Sequence, residues 1–115
     1  MRHDELYLRD MLEAAEHISR FIAESGRHGF DQSELVRSAV VQKLAVIGEA
    51  ASRISIDLKA HYADVPWSRI AAFRNVLVHA YFGIDWDVVW YAAEKQVPVL
   101  HDQIRAILDR EFRPT

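Results

Sequence analysis

The 115-residue chain contains no cysteine, which excludes disulfides, thiol catalysis and zinc sites built on thiolates. Glycine and proline are scarce, with four and three copies, and this argues against a β fold with many tight turns. No apolar run reaches membrane-spanning length. The polar start MRHDELYLRD does not have the form of a secretory signal. We therefore expect a cytoplasmic protein with no membrane partner.

A large excess of charge of one sign is also missing, since the formal net charge is −3 and the pI is about 6.0. This balance disfavours a domain that coats nucleic acid through bulk charge. It leaves room for an enzyme that grips a few phosphates at a local site. The chain is 50% hydrophobic and 27% charged, which is typical of a globular protein. Its length predicts a single domain over residues 1–115.

Apolar residues recur at three- and four-residue steps along most of the chain, which is the spacing of amphipathic helices. The first such stretch is DELYLRDMLEAAEHISRFIAESG. A capping-box pattern, with Asp31 as N-cap and Glu34 at N3, predicts the start of a second helix that extends to about Leu58. This helix is apolar on more than one face around AVVQKLAVIGEAA, so it should contact two neighbours or a partner subunit.

Helix boundaries in the second half of the chain are marked by proline, glycine and aspartate. The stretch Asp64-Val65-Pro66-Trp67 predicts the start of a third helix, with Pro66 in its first turn. Gly83 suits the turn at its C-terminal end, and Asp85 suits the N-cap of the last helical segment. Pro98 must kink or divide that segment. The pattern predicts an all-α fold, an antiparallel bundle of four to five helices.

The stretch RNVLVHAYFG, residues 74–83, places Arg74, Asn75, His79 and Tyr81 in an otherwise apolar run. Polar groups are costly to bury unless they are paired. On an unbroken helix Arg74 and His79 lie about 140° apart, whereas Arg74 and Tyr81 nearly coincide. Asn75 and His79 are four residues apart and share a face. If Arg74 and His79 are to meet one substrate, the helix should end near His79.

These residue types are suited to phosphodiester cleavage. A histidine takes or gives a proton near neutral pH, and an arginine presents a fixed fork of donors to phosphate oxygens. The alternative is structural: Arg74 and Tyr81 lie at the edge of the bundle, and His79 is a core histidine with its hydrogen bonds satisfied. Composition and spacing alone favour this structural interpretation, because motifs this short recur by chance.

The pattern Arg-x4-His-x-Tyr, formed by Arg74, His79 and Tyr81, resembles the signature of HEPN-domain ribonucleases. More narrowly, the chain resembles the HepT-like toxin family. The likeness covers most of the chain, from about LRDML to PVL, and includes AVVQKLAVIGEAASRIS, VPWSRIAAFRNVLVHAYFGID and VVWYAAEKQVPVL in the family's order. Ala80, between His79 and Tyr81, is small and should leave the site open.

The resemblance implies a HEPN-like, all-helical homodimer whose two motifs face each other across the subunit interface. It implies an endoribonuclease that needs no metal or other cofactor, uses the RNA 2′-hydroxyl as nucleophile and leaves a 2′,3′-cyclic phosphate. It also implies a toxin with a cognate antitoxin, a minimal nucleotidyltransferase that adds AMP to the motif tyrosine. An alternative is a non-catalytic helical dimer that binds a nucleotide or the nucleotidyltransferase.

Carried over by this resemblance, the roles fall on four residues of the motif. His79 is the general acid/base and Arg74 is the clamp on the phosphate and the transition state. Asn75 would support the site by orienting His79. Tyr81 is a site residue and the target of AMP addition.

Glu49, in the stretch VIGEAASR, has two interpretations that the sequence leaves open. It could form an ordinary surface pair with Arg53, four residues on, or it could face Arg74 and fix that side chain. Near it, Gly48 belongs to a strip of small residues that would let another helix approach closely; the other members are Ala45 and Ser52.

The remaining side chains that could serve a site give weaker patterns. Trp67 and Trp90 could stack on bases, but large aromatics in a small bundle are more often part of the core. The other histidines are scattered without metal-ligand spacing, so we expect no metal site.

Overall fold

The computed structural model describes residues 2–113, except for the side chains of Arg2 and Tyr81. Helices make up nearly all of this range. A 3-10 turn, Tyr81–Gly83, and a π-helical turn, Ala92–Gln96, connect the later helices. The α-helices are α1 Arg2–Gln32, α2 Glu34–Arg53, α3 Ile56–His61, α4 Trp67–His79, α5 Trp86–Tyr91 and α6 Val97–Glu111. The expected all-α fold is confirmed. None of the described helices combines the length and the apolarity that crossing a bilayer requires.

The core is built around α2, which packs against α1 on one side and α4 on another. The long α1 also packs against α6. Two neighbours account for the apolar character of α2 on more than one face, as the sequence predicted. The largest fully buried side chains come from α1, α2, α5 and α6: Leu8, Met11, Ile18, Phe30, Val40, Val89, Ile104 and Ile107.

The cap of α2 is Ser33, and the prediction that Asp31 caps this helix is wrong. The Ser33 hydroxyl accepts a hydrogen bond from the Val36 N–H at 3.1 Å. Asp31 is still part of α1, where its carboxylate accepts a hydrogen bond from Arg27 at 3.0 Å. The helical hydrogen bonding of α1 continues past the left-handed Gly26 (φ 65°), so Ser33 is the first non-helical residue before α2.

The expected extension of α2 to Leu58 is also wrong, because the helix ends at Arg53. Ser55 is extended and caps α3, with its hydroxyl oxygen accepting from the Leu58 N–H at 3.2 Å. The N–H and the hydroxyl of Ser55 both donate to the buried Asp4 carboxylate, at 2.8 and 2.6 Å. This long-range contact stabilises the break, and local helical periodicity does not reveal it.

The boundaries in the second half follow the sequence more closely. The helix α4 starts at Trp67, the last residue of the predicted stretch, but Pro66 is its N-cap and lies one position outside the first turn. Asp85 caps α5 as predicted, since its carboxylate accepts from the backbone N–H groups of the second and third helical residues. The last segment is divided, with the π-helical turn before α6 and Pro98 as the second residue of α6.

Trp67 and Trp90 pack in or against the core, as the sequence predicts. Trp67 is buried, and its ring N–H donates to the Tyr62 carbonyl at 3.1 Å. Trp90 is half-buried, with its ring centroid 5.2 Å from that of Phe30 and the Arg27 guanidinium 5.6 Å above it.

A charged cluster links α6 to α1 through His101. Its Nε2 lies 2.9 Å from Glu16 Oε2, and its Nδ1 lies 3.2 Å from Asp102 Oδ1. Arg105 also donates to Glu16, at 3.2 Å. The hydrogen bond to Glu16 raises the pKa of His101 above its ordinary value of 6.5, and the same bond lowers the pKa of Glu16 below 4.5.

We expect His101→Gln to destabilise the fold in a pH-dependent way. The contribution of His101 is fully present below pH 6.5 and is lost as the pH rises through its raised folded-state pKa. The contribution of Glu16 is present above pH 4.5 and is lost on acidification. The loss of unfolding free energy should be below about 1 kcal/mol, because the pair is partly exposed.

Urea unfolding at pH 5.5 and pH 9 should show the larger loss of stability at pH 5.5. His28→Gln, at an exposed position of α1, is the control, and an equal cost of His101→Gln at both pH values would contradict the pairing.

Candidate active site

The helix α4 contains Arg74, Asn75 and His79, and it ends at His79, where the sequence predicts an end. The N–H of the C-cap residue, Ala80, donates to the Val76 carbonyl at 3.0 Å. Arg74 is half-buried, whereas Asn75 and His79 are exposed. Because His79 is still helical, its side chain and that of Arg74 leave the helix about 140° apart within one chain.

The position of Arg74 depends on Gly48 of α2. A Cβ atom at Gly48 would overlap the Cβ of Arg74 and would lie 3.1 Å from the Ile70 carbonyl oxygen. The α2 and α4 backbones therefore approach as closely as a glycine allows. This confirms the expectation that the small-residue strip lets another helix approach, and it identifies that helix as α4.

Glu49, next in sequence to Gly48, connects two arginines. Its Oε1 accepts a hydrogen bond from Arg53 Nε at 3.1 Å, and its Oε2 lies 3.7 Å from Arg74 Nη2. The hydrogen bond to Glu49 raises the pKa of Arg53. Glu49 therefore forms the helical pair with Arg53 and also faces Arg74, and its role in fixing Arg74 for a substrate stays a prediction. The three side chains together carry one positive charge in excess.

Asn75 contacts Arg74, and its role in orienting His79 stays a prediction. Its Oδ1 accepts a hydrogen bond from Arg74 Nη1 at 3.2 Å. No hydrogen bond joins Asn75 to His79 in the described residues.

Tyr81 follows α4 directly, in the 3-10 turn Tyr81–Gly83. The turn is closed by a hydrogen bond from the Gly83 N–H to the Ala80 carbonyl at 2.8 Å. The chain thus changes direction between His79 and Gly83, as the sequence predicted for this glycine. The Tyr81 side chain itself lies outside the described residues, so its expected place in the site stays a prediction.

A cleft of about 320 Å³ lies among α1, α2 and α4, and Arg74 forms part of its wall. His79 is not among the described residues that line it. Several lining residues have no local signal in the sequence, because the packing of α1 on α2 brings them together. The lining is formed by Tyr7, Asp10, Gln42, Ala45, Val46, Glu49, Ala50, Arg53, Arg74 and Val78.

Three exposed apolar side chains surround the motif, namely Val76, Val78 and Phe82, and we call them the motif patch. Their exposed fractions are 52%, 46% and 104%. They lie within seven positions of one another in the sequence, and exposed apolar side chains beside a polar motif are candidates for an interaction surface. As for metal ligands, no group of three or more histidine, aspartate or glutamate side chains is placed to hold an ion in the described part of the chain.

The family model described as "Ribonuclease HepT-like" matches residues 11–107, a range that contains Gly48, Glu49 and the whole motif. The chain belongs to the HepT-like ribonuclease family. The resemblance on which the site prediction rests is therefore confirmed at the level of the family.

Curated relatives of this HepT-like chain cover most of its length. A Methanocaldococcus jannaschii protein named "Putative RNase MJ1380" is 32% identical over 101 residues, which are 88% of this chain and 93% of the relative. A Thermococcus cleftensis protein named "Probable ribonuclease HepT" is 37% identical over 94 residues, which are 82% of this chain and 86% of the relative. No solved structure matches the chain.

We expect Gly48→Ala to destabilise the HepT-like fold and to displace Arg74. The new methyl group has no room between α2 and α4, and overpacking of this kind costs about 1–3 kcal/mol. Urea unfolding measures the change. Gly83→Ala is the matched control, because a Cβ at Gly83 meets nothing within 4 Å. Equal stability of the Gly48 variant and the native chain would show that the two helices do not meet at this position.

Proposed function

We propose that this HepT-like protein is a cytoplasmic endoribonuclease that cleaves RNA without a metal ion and serves as the toxin of a toxin–antitoxin pair. The observation that carries the proposal is the placement of Arg74. Its side chain is 32% exposed at the wall of a cleft and is oriented by Glu49 and Asn75, and His79 ends the same helix.

The proposed chemistry is transfer of the phosphoryl group to the 2′-hydroxyl of RNA. His79 acts as general base on the 2′-hydroxyl, whose oxygen attacks the phosphorus, and the bond to the 5′-oxygen breaks. The leaving oxygen takes a proton from the general acid, which gives a 2′,3′-cyclic phosphate and a 5′-hydroxyl. Arg74 stabilises the negative charge that develops on the phosphoryl oxygens.

A homodimer would complete this site. Cleavage uses one base and one acid, and each chain supplies a single motif histidine. Within one chain, Arg74 and His79 leave α4 about 140° apart, so a substrate at Arg74 is better reached by His79 of a second copy. The exposed motif patch supports the same arrangement, because it offers apolar surface for a symmetric interface beside the motif.

The proposed control of the activity is AMP addition to Tyr81 by a cognate minimal nucleotidyltransferase. The position of Tyr81 supports it, since the backbone turns directly after His79. An AMP group there would add bulk and negative charge near the arginine that must bind the substrate phosphate. Modification would then compete with RNA through both volume and charge.

We expect Arg74→Ala and His79→Ala each to reduce cleavage of a labelled RNA, by about 10²–10⁴-fold in the case of the general acid/base. Arg69→Ala, on the same helix, and His28→Ala are the matched controls, and circular dichroism checks that every variant stays helical. Cleavage by the native chain should persist in EDTA. If the native chain cuts no RNA under any condition, the non-catalytic alternative replaces the ribonuclease.

Mixing the two inactive variants provides a further control on the shared site. A heterodimer of the Arg74 and His79 variants has one intact pair if the site is built across the interface, so refolding the two together should restore part of the activity. Failure to recover any activity, in a mixture shown by mass spectrometry to contain heterodimers, would show either that both residues of the site lie in one chain or that cleavage requires His79 from both chains.

We expect the cognate nucleotidyltransferase, supplied with ATP, to add AMP to Tyr81 and to abolish RNA cleavage. Peptide mass spectrometry locates the modification, and Tyr91→Phe, at an exposed tyrosine of α5, is the matched control for Tyr81→Phe. Modification at another residue, or full activity of the chain modified at Tyr81, would contradict this control mechanism.

A further inference from the structure

The cleft beside Arg74 contains side chains that the proposed cleavage does not use. Tyr7 and Asp10 enter from α1, and Gln42 enters from α2. We propose that this part of the cleft is a nucleobase subsite that selects guanine next to the phosphate bound by Arg74. The proposal rests on the proposed function for the role of the phosphate, but the base preference has its own test.

The size of the cleft and the apolar part of its lining suit one planar base. Its volume of about 320 Å³ is near the lower end of small-molecule sites. Ala45, Val46 and Ala50 supply small or apolar surface, and Tyr7 supplies an aromatic ring. Unpaired RNA bases stack on such rings, with stacking that tolerates any base. Stacking therefore explains why a base enters, and the polar side chains decide which base.

Of the two carboxylates in the cleft, Asp10 is the one available to a ligand. Both oxygens of Glu49 already face arginines, Oε1 toward Arg53 and Oε2 toward Arg74. Asp10 is exposed and has no hydrogen bond or ion pair within the described residues. An ionised carboxylate only accepts hydrogen bonds, so its ligand must present donors, and on a nucleobase these are N–H groups.

Guanine fits this arrangement better than the other bases. Its Watson–Crick edge offers two adjacent donors, N1–H and the N2 amino group, to a carboxylate such as Asp10. The neighbouring O6 is an acceptor that the amide N–H₂ of Gln42 can satisfy. Uracil has one N–H between two carbonyl oxygens, and adenine and cytosine place an unprotonated ring nitrogen beside their amino group. Each of these would set an acceptor against the carboxylate.

Arg74 joins this subsite to the phosphate. Its guanidinium lies in the wall of the same cleft, and Arg53 adds a second cation on the far side of Glu49. A nucleoside 3′-monophosphate can thus place its base between α1 and α2 while its phosphate contacts Arg74. The substrate class is RNA that contains an unpaired guanosine on the 5′ side of the scissile phosphate.

The test is binding of the four nucleoside 3′-monophosphates to the intact chain, measured by calorimetry or NMR titration. We expect guanosine 3′-monophosphate to bind tightest. Asp10→Asn should weaken it about tenfold, the value of one bidentate base contact, and should leave uridine 3′-monophosphate nearly unchanged. Glu13→Gln makes the same change of charge on α1 outside the cleft and should have no effect. Tyr7→Phe, which keeps the ring, should retain the preference.

The outcomes separate this subsite from the ribonuclease proposal. Equal binding of the four nucleotides, no binding at millimolar concentration, or an Asp10→Asn variant with an intact guanine preference would overturn the subsite even if His79 is needed for cleavage. A guanine preference that Asp10→Asn removes would support the subsite even if cleavage proves independent of His79.

Discussion

The close contact between Gly48 of α2 and Arg74 of α4 is the constraint on which the arrangement of the site depends. Because glycine has no Cβ, the two helices meet at backbone distance and Arg74 lies across α2. Glu49, the next residue, is thereby brought to the guanidinium. Helix packing thus fixes where the Arg74 side chain begins, and the charge of Glu49 then orients its guanidinium.

The helices could be predicted from the sequence wherever the deciding interactions are local. The end of α4 at His79 and the Asp85 cap of α5 depend on residues within a few positions, and both are found as expected. The break after Arg53 was missed, because it is stabilised by Asp4, 51 positions before Ser55. The expected Asp31 cap of α2 is not formed, because Ser33 takes that position and the Asp31 carboxylate accepts from Arg27 within α1.

The residues of the candidate site also divide into those that local sequence patterns mark and those that only long-range packing brings together. The motif on α4 and its neighbour Glu49 were visible in the sequence, since short spacing and family resemblance both mark them. The walls supplied by Tyr7 and Asp10 were not, because a residue on the first helix carries no sign of which later helix it will face. The −3 charge of the chain does not describe this cleft either, because the two carboxylates of its lining, Asp10 and Glu49, are balanced by Arg53 and Arg74.

The hydrogen bonds between Asp4 and Ser55 bear on the order in which the chain acquires its structure. During synthesis, the carboxylate that ends up buried in α1 must stay in water until the residues after α2 have left the ribosome. The cleft needs still more of the chain, because its walls range from Tyr7 to Val78. An unfinished polypeptide that holds only α1 and α2 therefore has no complete cleft, because the wall formed by Arg74 and Val78 of α4 is synthesised later.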